Sequence, residues 1–475
     1  MQPRLWIVAL CVMFVALAVR LVGLGTWSYA GDELASTVEE SVLFHNAPAS
    51  PDSQVFRLPH LVPLGYIPMH ISHTIFGEDE RGFRIGSAVV GALTVLIVLL
   101  FLDVPGWRTV AVLSALSVAL WAEHVFRSGE CRFYGTAAAF SFAASLAAWR
   151  ASRQHSPLML MVAMGCALLA VYCHALLIEL APALALVVFS IRQIRYGRIE
   201  RDYLIIGFAT IVVLAAIVIV HIYPLIRGWN SAESWGYSPS HALMAGVVSV
   251  GVMVFALAVA GASSALSTSE WDGIYWSALF ILWVGNCALL PIIVPFHVGY
   301  IFSLSLPVIV LASQALHKMS GSLSGGRSIA AYCVLSLGIV SNIPTLASHF
   351  VDGSRWDERS PAEFVRKVWR TGDSVATYTS GYFRHYSQMC CAPVIALAPG
   401  RVSEALSKLR GSTGKVWVIL ESPRGGLPAE TRDWLYRCAR QRFGITRRRL
   451  DFAEFNTAVF EYAPADGDGC HDNDR

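Results

Sequence analysis

Apolar runs of helix-spanning length recur along the chain as far as about residue 347. They begin near residues 4, 85, 108, 134, 157, 175, 203, 241, 274, 299 and 328, and a membrane-spanning helix needs about 20 such residues. Only 15% of the residues are charged, against about 25% in soluble domains. The pattern therefore predicts an α-helical polytopic membrane protein with about eleven transmembrane helices. The first run, about residues 5–24, lacks a small-residue cleavage site and is interpreted as the first of them.

The orientation follows from the basic residues in the short loops. If the helices alternate, one side carries Arg4, Arg108, Arg150, Arg153, Arg192, Arg195, Arg198, Arg201, Lys318 and Arg327. The opposite side carries only Arg127, Arg132 and Arg227. Positive charge stays in the cytoplasm, which predicts an inner-membrane protein with a cytoplasmic N-terminus. The first loop, residues 25–84, and everything after residue 347 are then predicted outside, in the periplasm.

Composition changes abruptly at the end of the apolar region. We predict a transmembrane domain over residues 1–347 and a small periplasmic α/β domain over residues 348–475. Its strand-like segments are "SVATY", "VIALA", "KVWVILES" and "AVFEYAP", and its helix-like segments include "RVSEALSKLR" and "AETRDWLYRCARQRFG". "SPAEFVRKVWRTGD" has the capping-box pattern, with Ser360 predicted as the N-cap. The domain holds four cysteines whose pairing the sequence leaves open: Cys390, Cys391, Cys438 and Cys470.

The first predicted outer loop contains the stretch "TWSYAGDELAS", with the adjacent acids Asp32 and Glu33. A loop of about sixty residues is longer than a connection needs and is usually functional. By itself the acid pair is more simply explained as solvated loop residues beside a membrane. Other segments on the same side of the membrane add weight to a functional reading: "FRLPHLVPLGYIPMH", "FGEDERGFRIGSAVVG", "HVFRSGECRFYG" and "VYCHALLIEL".

In order, side and spacing these segments resemble the GT-C glycosyltransferases that use polyprenyl-phosphate sugars, the group with the protein O-mannosyltransferases and the lipid A aminoarabinose transferase. The resemblance covers about residues 1–320. Asp32 and Glu33 match the family's acids after the first helix. Further matches are His60, Pro63, Leu64, Phe76, Gly77, Glu80 and Arg84 before and at the second helix, Glu130, Arg132 and Tyr134 after the third, and His174 after the fifth. Where many members have an arginine near the tenth helix, this chain has Gly299, so that contact falls to His297 or elsewhere.

The resemblance implies an inverting transfer of a sugar from a polyprenyl-phosphate donor to a periplasmic protein, lipid or polysaccharide. Such a reaction needs a base for the incoming hydroxyl and cations for the departing phosphate. We expect Asp32 as general base, Glu33 orienting it or binding the acceptor, and Arg132 and Arg84 on the phosphate. The remaining expected substrate contacts are His60, Glu130, Tyr134, His174 and His297. The donor is a monophosphate, so no metal and no cofactor are required, and the net charge of +3 favours no nucleic-acid partner.

Two other functions fit parts of the sequence. A transporter or flippase for lipid-linked sugars would explain the helices but not the acid pair on a long loop. A catalytically silent subunit of the same fold would explain Gly299. Individual residues also have simpler readings: Arg84 as an interfacial anchor, Glu130 in an ion pair with Arg127 or Arg132, and His174 as a buried structural histidine.

Overall fold

Twenty-five helices and strands make up the described part of the computed structural model. The described residues are 3–29, 33–45, 63–223, 238–293, 301–321, 343–352, 357–389, 391–397, 414–422, 429–448 and 454–463. Of the predicted site, Asp32, His60 and His297 lie outside these residues, as do Gly299, the predicted helix near residue 328 and the segment "RVSEALSKLR". The chain divides into two units, residues 1–24 with 36–347, and residues 25–35 with 348–475.

The first unit is built from helices. In chain order they are α1 (Pro3–Leu21), α2 (Glu33–His45, from Ser36 on), α3 (Pro63–Phe76), α4 (Glu80–Leu102), α5 (Arg108–Leu120), α6 (Ala122–Ser128), α7 (Tyr134–Arg153), α8 (Pro157–Cys173), a 3₁₀ turn (Ala175–Leu177), α9 (Leu180–Tyr196), α10 (Arg201–Ile217) with a π-helical turn (Val218–Ile222), α11 (Pro239–Val250), α12 (Val252–Thr268), α13 (Trp271–Ile293), α14 (Leu306–Gly321) and the start of α15 (Ile343–Asp352).

Helices that can cross a membrane are present, but fewer than the eleven predicted meet the length and composition needed. Among the described residues four do so, spanning Glu80–Leu102, Ala175–Tyr196, Arg201–Val220 and Trp271–Ile292. The count rises to six if each of two bent pairs, α5 with α6 and α11 with α12, is one span. Trp6–Leu21 and Pro157–Cys173 are shorter apolar helices. The membrane-protein class is confirmed, and the helix number stays a prediction.

Small residues let the helices of this unit approach closely. The facing sides of α7 and α8 bury alanines such as Ala144, Ala148, Ala163 and Ala167 at 0% exposure, and small residues are the ones that permit backbone contact between membrane helices. On α4, a Cβ at Gly86 would stand 1.9 Å from the carbonyl oxygen of Pro68. Only glycine therefore fits where α3 crosses α4, and this crossing holds α3 in place for the site described below.

The second unit is a five-stranded sheet with helices. Its strands are β1 (Ser374–Thr377), β2 (Val394–Ala396), β3 (Val416–Ser422), β4 (Arg440–Arg448) and β5 (Glu454–Tyr462), in the spatial order β2-β1-β3-β5-β4. The pairs β1–β2 and β1–β3 are parallel, and β3–β5 and β4–β5 are antiparallel. The helices are the remainder of α15, α16 (Arg359–Val368), α17 (Ser380–Ser387) and α18 (Ala429–Cys438). The predicted α/β class is confirmed.

Both faces of the sheet are covered. Val375, Trp417 and Ile419 pack in one apolar cluster, and their chain neighbours Ala376 and Val418 pack in a second cluster. This follows from the two-residue period of a strand, which sends successive side chains to opposite faces. The four predicted strand segments all form strands. Each contains alternating or consecutive apolar residues, which a sheet covered on both faces can bury.

Two local predictions in this unit are wrong. The helix-like run "AETRDWLYRCARQRFG" is helical only to Cys438, and from Arg440 it forms β4, because pairing along β5 outweighs its helical propensity. The N-cap of α16 is Glu358 rather than Ser360. The carboxylate of Asp357 makes the side-chain hydrogen bonds at this helix start instead. It accepts from the backbone N–H of Ser360 at 3.0 Å and from the Ser360 hydroxyl at 2.7 Å.

Candidate active site

Helix α2 buries polar residues where a helix usually buries apolar ones. Glu33, Ser36, Glu39 and Glu40 are all buried, at 1%, 0%, 8% and 1% exposure. Their spacing of three, three and one residues places them on one face of the helix. Buried carboxylates are costly unless they are paired or hydrogen-bonded. A helix that buries three of them is therefore built around their contacts.

Helix α3 supplies several of these contacts to the part of α2 that lies in the first unit. The hydroxyl of Tyr66 donates to Glu39. Burial, followed by the charge of Glu39, raises the pKa of Tyr66 well above its usual value, so Tyr66 remains a proton donor at any physiological pH. Glu40 faces two histidines of α3, with Nδ1 of His70 at 2.5 Å and Nε2 of His73 at 2.9 Å from its carboxylate oxygen.

Arg132 approaches the same face of α2 from the loop after α6. Its Nη1 donates to the hydroxyl of Ser36 at 3.0 Å, and its guanidinium lies 4.8 Å from the ring centre of Phe133 and 5.5 Å from that of Tyr134. Aromatic faces of this kind attract a cation and hold its plane. Arg132 is neither fully buried nor fully exposed, so its oriented guanidinium is partly accessible to solvent.

His174 completes this aromatic group. It is 9% exposed, and its ring centre lies 5.3 Å from that of Phe133 and 5.7 Å from that of Tyr134. Burial and the nearby charge of Arg132 lower the pKa of His174 to about 3. The imidazole is therefore neutral at physiological pH. It can exchange a hydrogen bond with a substrate without adding charge to the site.

Two further predicted residues have contacts of a structural kind. Arg84 has 0% exposure, and its Nη1 donates to the backbone carbonyl of Leu24 at 3.0 Å. Glu130 lies 3.1 Å from Nη1 of Arg127, which also bonds Glu123 at 2.8 Å. The structure thus groups Arg132, Tyr134 and His174 directly, whereas the described hydrogen bonds of Arg84 and Glu130 are with Leu24 and with Arg127.

The acid-pair segment is held by the second unit, to which residues 25–35 belong. On one side of the pair, the backbone N–H of Tyr29 donates to the hydroxyl of Tyr386 at 2.5 Å. On the other side, the N–H of Leu34 donates to the hydroxyl of Tyr382 at 3.3 Å. Both tyrosines belong to α17. One short helix therefore fixes the backbone before and after Asp32 and Glu33, and Glu33 itself opens α2, where an acid complements the helix dipole.

Sequence reasoning missed Ser36, Glu39 and Glu40, together with their partners Tyr66, His70 and His73. A signal was available in the sequence. Ser36, Glu39 and Glu40 are spaced from Glu33 as residues on one helical face are, and His70 and His73 are three residues apart, which is also the spacing of neighbours on one face of a helix. These spacings place polar groups on one face each, but only the pairing of α2 with α3 brings the two faces together.

Solved structures with the same fold are known. No protein-family model matches this chain, and no curated protein sequence matches it. ArnT from Cupriavidus metallidurans in the apo state matches with a TM-score of 0.60 at 13% identity, covering 97% of this chain and 98% of that one. ArnT bound to undecaprenyl phosphate matches with a TM-score of 0.59 at 12% identity, covering 96% and 98%.

An archaeal protein extends the comparison. The oligosaccharyltransferase AglB from Archaeoglobus fulgidus, in complex with an inhibitory peptide and a dolichol-phosphate, matches with a TM-score of 0.52 at 13% identity. The match covers 86% of this chain and 69% of AglB. These likenesses confirm that the chain has the GT-C fold that its sequence motifs predict.

Proposed function

We propose that the protein is a membrane glycosyltransferase that transfers a sugar from a polyprenyl-phosphate donor to a hydroxyl of a periplasmic acceptor, with inversion. The observation that carries the proposal is the hydrogen bond from Arg132 to buried Ser36 of α2, together with the rings of Phe133 and Tyr134 that orient the guanidinium. The fold supports it, because ArnT and AglB of the same fold have been solved with undecaprenyl phosphate and with a dolichol-phosphate.

The proposed reaction is a direct displacement at the anomeric carbon. The acceptor oxygen forms a bond to that carbon while the bond from the carbon to the phosphate oxygen breaks. Asp32 takes the acceptor's proton, and the polyprenyl phosphate leaves with the bonding electron pair. Attack from the side opposite the leaving group inverts the configuration. The protein must supply a base on one side and positive charge on the other.

Arg132 is the proposed phosphate ligand. A guanidinium fork matches two phosphate oxygens at once, and the rings of Phe133 and Tyr134 hold its plane. Neutral His174 adds a hydrogen bond beside it. His60, Glu130, Tyr134 and His297 remain proposed substrate contacts. Arg84 also remains a proposed phosphate contact, and its described hydrogen bond to the carbonyl of Leu24 ties it to the segment after the first helix.

The proposed compartment is the periplasm, with a cytoplasmic N-terminus in the inner membrane. The asymmetry of basic residues supports this orientation. Cys438 of the second unit is disulfide-bonded, and disulfides persist in oxidising compartments such as the periplasm. Acceptors of the reaction would accordingly be glycans, lipids or proteins of the cell envelope.

The decisive test is Asp32→Asn. Asparagine has the shape of aspartate but cannot take the proton, so turnover should fall by about two to four powers of ten while donor binding is kept. Glu33→Gln should cost less if Glu33 only orients its neighbour. Membranes containing each variant receive a labelled polyprenyl-phosphate sugar, and released polyprenyl phosphate and glycosylated product are measured. Asp202→Asn, at an exposed position of α10, is the matched control and should retain full activity.

The same assay separates the alternatives. Turnover by the unmodified protein excludes both a transporter and a silent subunit of this fold. Near-normal transfer by folded Asp32→Asn would show that Asp32 is an ordinary loop acid, and the proposed mechanism would then lack its base.

A further inference from the structure

Three side chains with metal-binding atoms meet between α2 and α3. They are Glu40 of α2 and the two histidines of α3, His70 and His73, and one ligand atom from each lies within 4.8 Å of the others. Glu40 is 1% exposed as a side chain, His73 is 7% exposed and His70 is 28% exposed. The cluster is thus buried at its carboxylate and open to solvent on the His70 side.

Each imidazole is held by an aromatic ring. His70 stacks on Phe44 with ring centres 4.2 Å apart and planes 15° apart. His73 stacks on Phe83 with ring centres 4.5 Å apart and planes 13° apart. These stacks fix the ring planes, so that Nδ1 of His70 and Nε2 of His73 converge on one carboxylate oxygen of Glu40. Rings held in this way favour ligand binding, because little side-chain freedom is lost.

We propose that Glu40, His70 and His73 form a binding site for one divalent transition-metal ion, with Zn²⁺ the preferred ion. Two imidazoles and one carboxylate are a common Zn²⁺ donor set, with bonds of about 2.0–2.2 Å. Tetrahedral bonds of that length set neighbouring ligand atoms roughly 3.4 Å apart. The carboxylate oxygen of Glu40 lies 2.5 Å from Nδ1 of His70 and 2.9 Å from Nε2 of His73. A shift of this oxygen by less than about 1 Å would bring both distances to the value that a tetrahedral ion needs.

The ligand chemistry favours Zn²⁺ over Mg²⁺ or Ca²⁺, which prefer oxygen ligands. His70 coordinates through Nδ1 and His73 through Nε2. Catalytic and open Zn²⁺ sites with three protein ligands take water as the fourth, and the partly exposed His70 gives solvent access to this cluster.

The ion joins α2 to α3 beside the hydrogen bond from Tyr66 to Glu39. Its role is structural, because the helix it holds is the one that begins at Glu33. This site is separate from the donor chemistry, for which a monophosphate requires no metal. The inference does not depend on the proposed function, because metal content and stability are measured without any sugar.

The test uses the full-length protein in detergent. After incubation with Zn²⁺ and removal of unbound metal, elemental analysis should find one zinc per chain. Glu40→Gln and His73→Gln should reduce bound zinc to background, and His70→Gln, at a half-exposed position, should weaken binding with the fold intact. The matched control is His155→Gln. His155 is also a histidine near a glutamate, with Nδ1 3.6 Å from Glu200, but it is exposed, and its replacement should leave zinc unchanged.

Two further readouts separate a specific site from adventitious binding. Co²⁺ should give the visible absorption bands of a tetrahedral nitrogen and oxygen site, and His70→Gln should abolish or shift them. A strong chelator should lower the thermal unfolding temperature of the unmodified protein and leave that of folded His70→Gln unchanged. Absence of bound zinc and cobalt in the unmodified protein, or one zinc retained in all three ligand variants, would overturn the proposal and leave a metal-free group of hydrogen bonds.

Discussion

Two groups of three charged side chains, one in each unit, are mirror images in charge but differ in burial. In the first unit Arg127 stands between two acids, at 2.8 Å from Glu123 and 3.1 Å from Glu130, and its side chain is 8% exposed. In the second unit Glu461 stands between two cations, Lys415 and Arg442, whose side chains are 49% and 36% exposed.

The difference shows that the cost of breaking such a group depends on burial more than on composition. Removing one partner of a buried ion pair leaves an uncompensated charge in a medium of low dielectric constant, whereas an exposed partner is solvated again. Arg127 is therefore a structural residue despite its place in the stretch "HVFRSGECRFYG". Arg132, five residues later, contacts a hydroxyl and two aromatic rings, and it is the residue proposed to bind the donor phosphate.

The largest effect is expected for Arg127→Met. The change removes the cation from the buried carboxylate of Glu123 and takes one partner from Glu130, and this should destabilise the first unit by roughly 3–5 kcal/mol. Thermal unfolding in detergent measures the loss. Arg108→Met is the control, because Arg108 is 56% exposed as a side chain and pairs with Asp103 at 3.2 Å; its cost should be about 1 kcal/mol or less.

Adding Glu123→Gln to Arg127→Met should recover part of the stability, because the buried carboxylate that lost its cation is then removed. If Arg127→Met unfolds at the same temperature as the unmodified protein, burial does not determine how much stability is lost when one member of a charged group is removed. The contrast between the Arg127 group and the Glu461 group would then be wrong.

An intermediate effect is expected for Arg132→Ala. The change should leave folding intact and reduce transfer at limiting donor by about ten- to a hundredfold, since a hydrogen bond to a charged group is worth roughly 1.5–3 kcal/mol. Saturating acceptor should not restore the rate. Ser36→Ala is the control for the lost protein contact alone, and it should cost clearly less. Full transfer by Arg132→Ala at limiting donor would place Arg132 with Arg127 as a structural residue.

The smallest effect is expected for Glu461→Gln. Burial raises the pKa of Glu461, but hydrogen bonds from Lys415 and Arg442 outweigh it, and the net pKa is lowered. A lowered pKa means that the contribution to stability is present above the ordinary glutamate value, about 4.3, and is lost as the pH falls. Glu461→Gln should cost about 1 kcal/mol or less at pH 7 and nothing at low pH.

Unfolding of the full chain from pH 7 to 3 measures this difference, and the matched control is Asp202→Asn, at an exposed position of the first unit. A loss of stability from Glu461→Gln as large as that from Arg127→Met, or one that grows as the pH falls, would contradict the interpretation. Lys415 and Arg442 would then not simply be solvated again when Glu461 is neutralised.

The sequence alone determined the class of protein, since apolar runs of membrane length and a mixed C-terminal region leave few other folds. It also identified Arg132, Tyr134 and His174, which the structure groups together. Periodic patterns and motif order are local properties of the chain and can be read without its fold. It left open whether Glu130 pairs with Arg127 or with Arg132, because both arginines lie within three residues of it in the chain.

Tertiary structure decided which polar groups meet. Glu40, His70 and His73 are as much as 33 positions apart in the chain, and only the packing of α2 against α3 brings them together. In the same way, Tyr382 and Tyr386 follow the acid-pair segment by some 350 positions, yet they hold its backbone on both sides. The end of α18 at Cys438 and the start of β4 at Arg440 were likewise decided by β5. Contacts between distant segments depend on the free energy of the whole fold, so no local pattern specifies them.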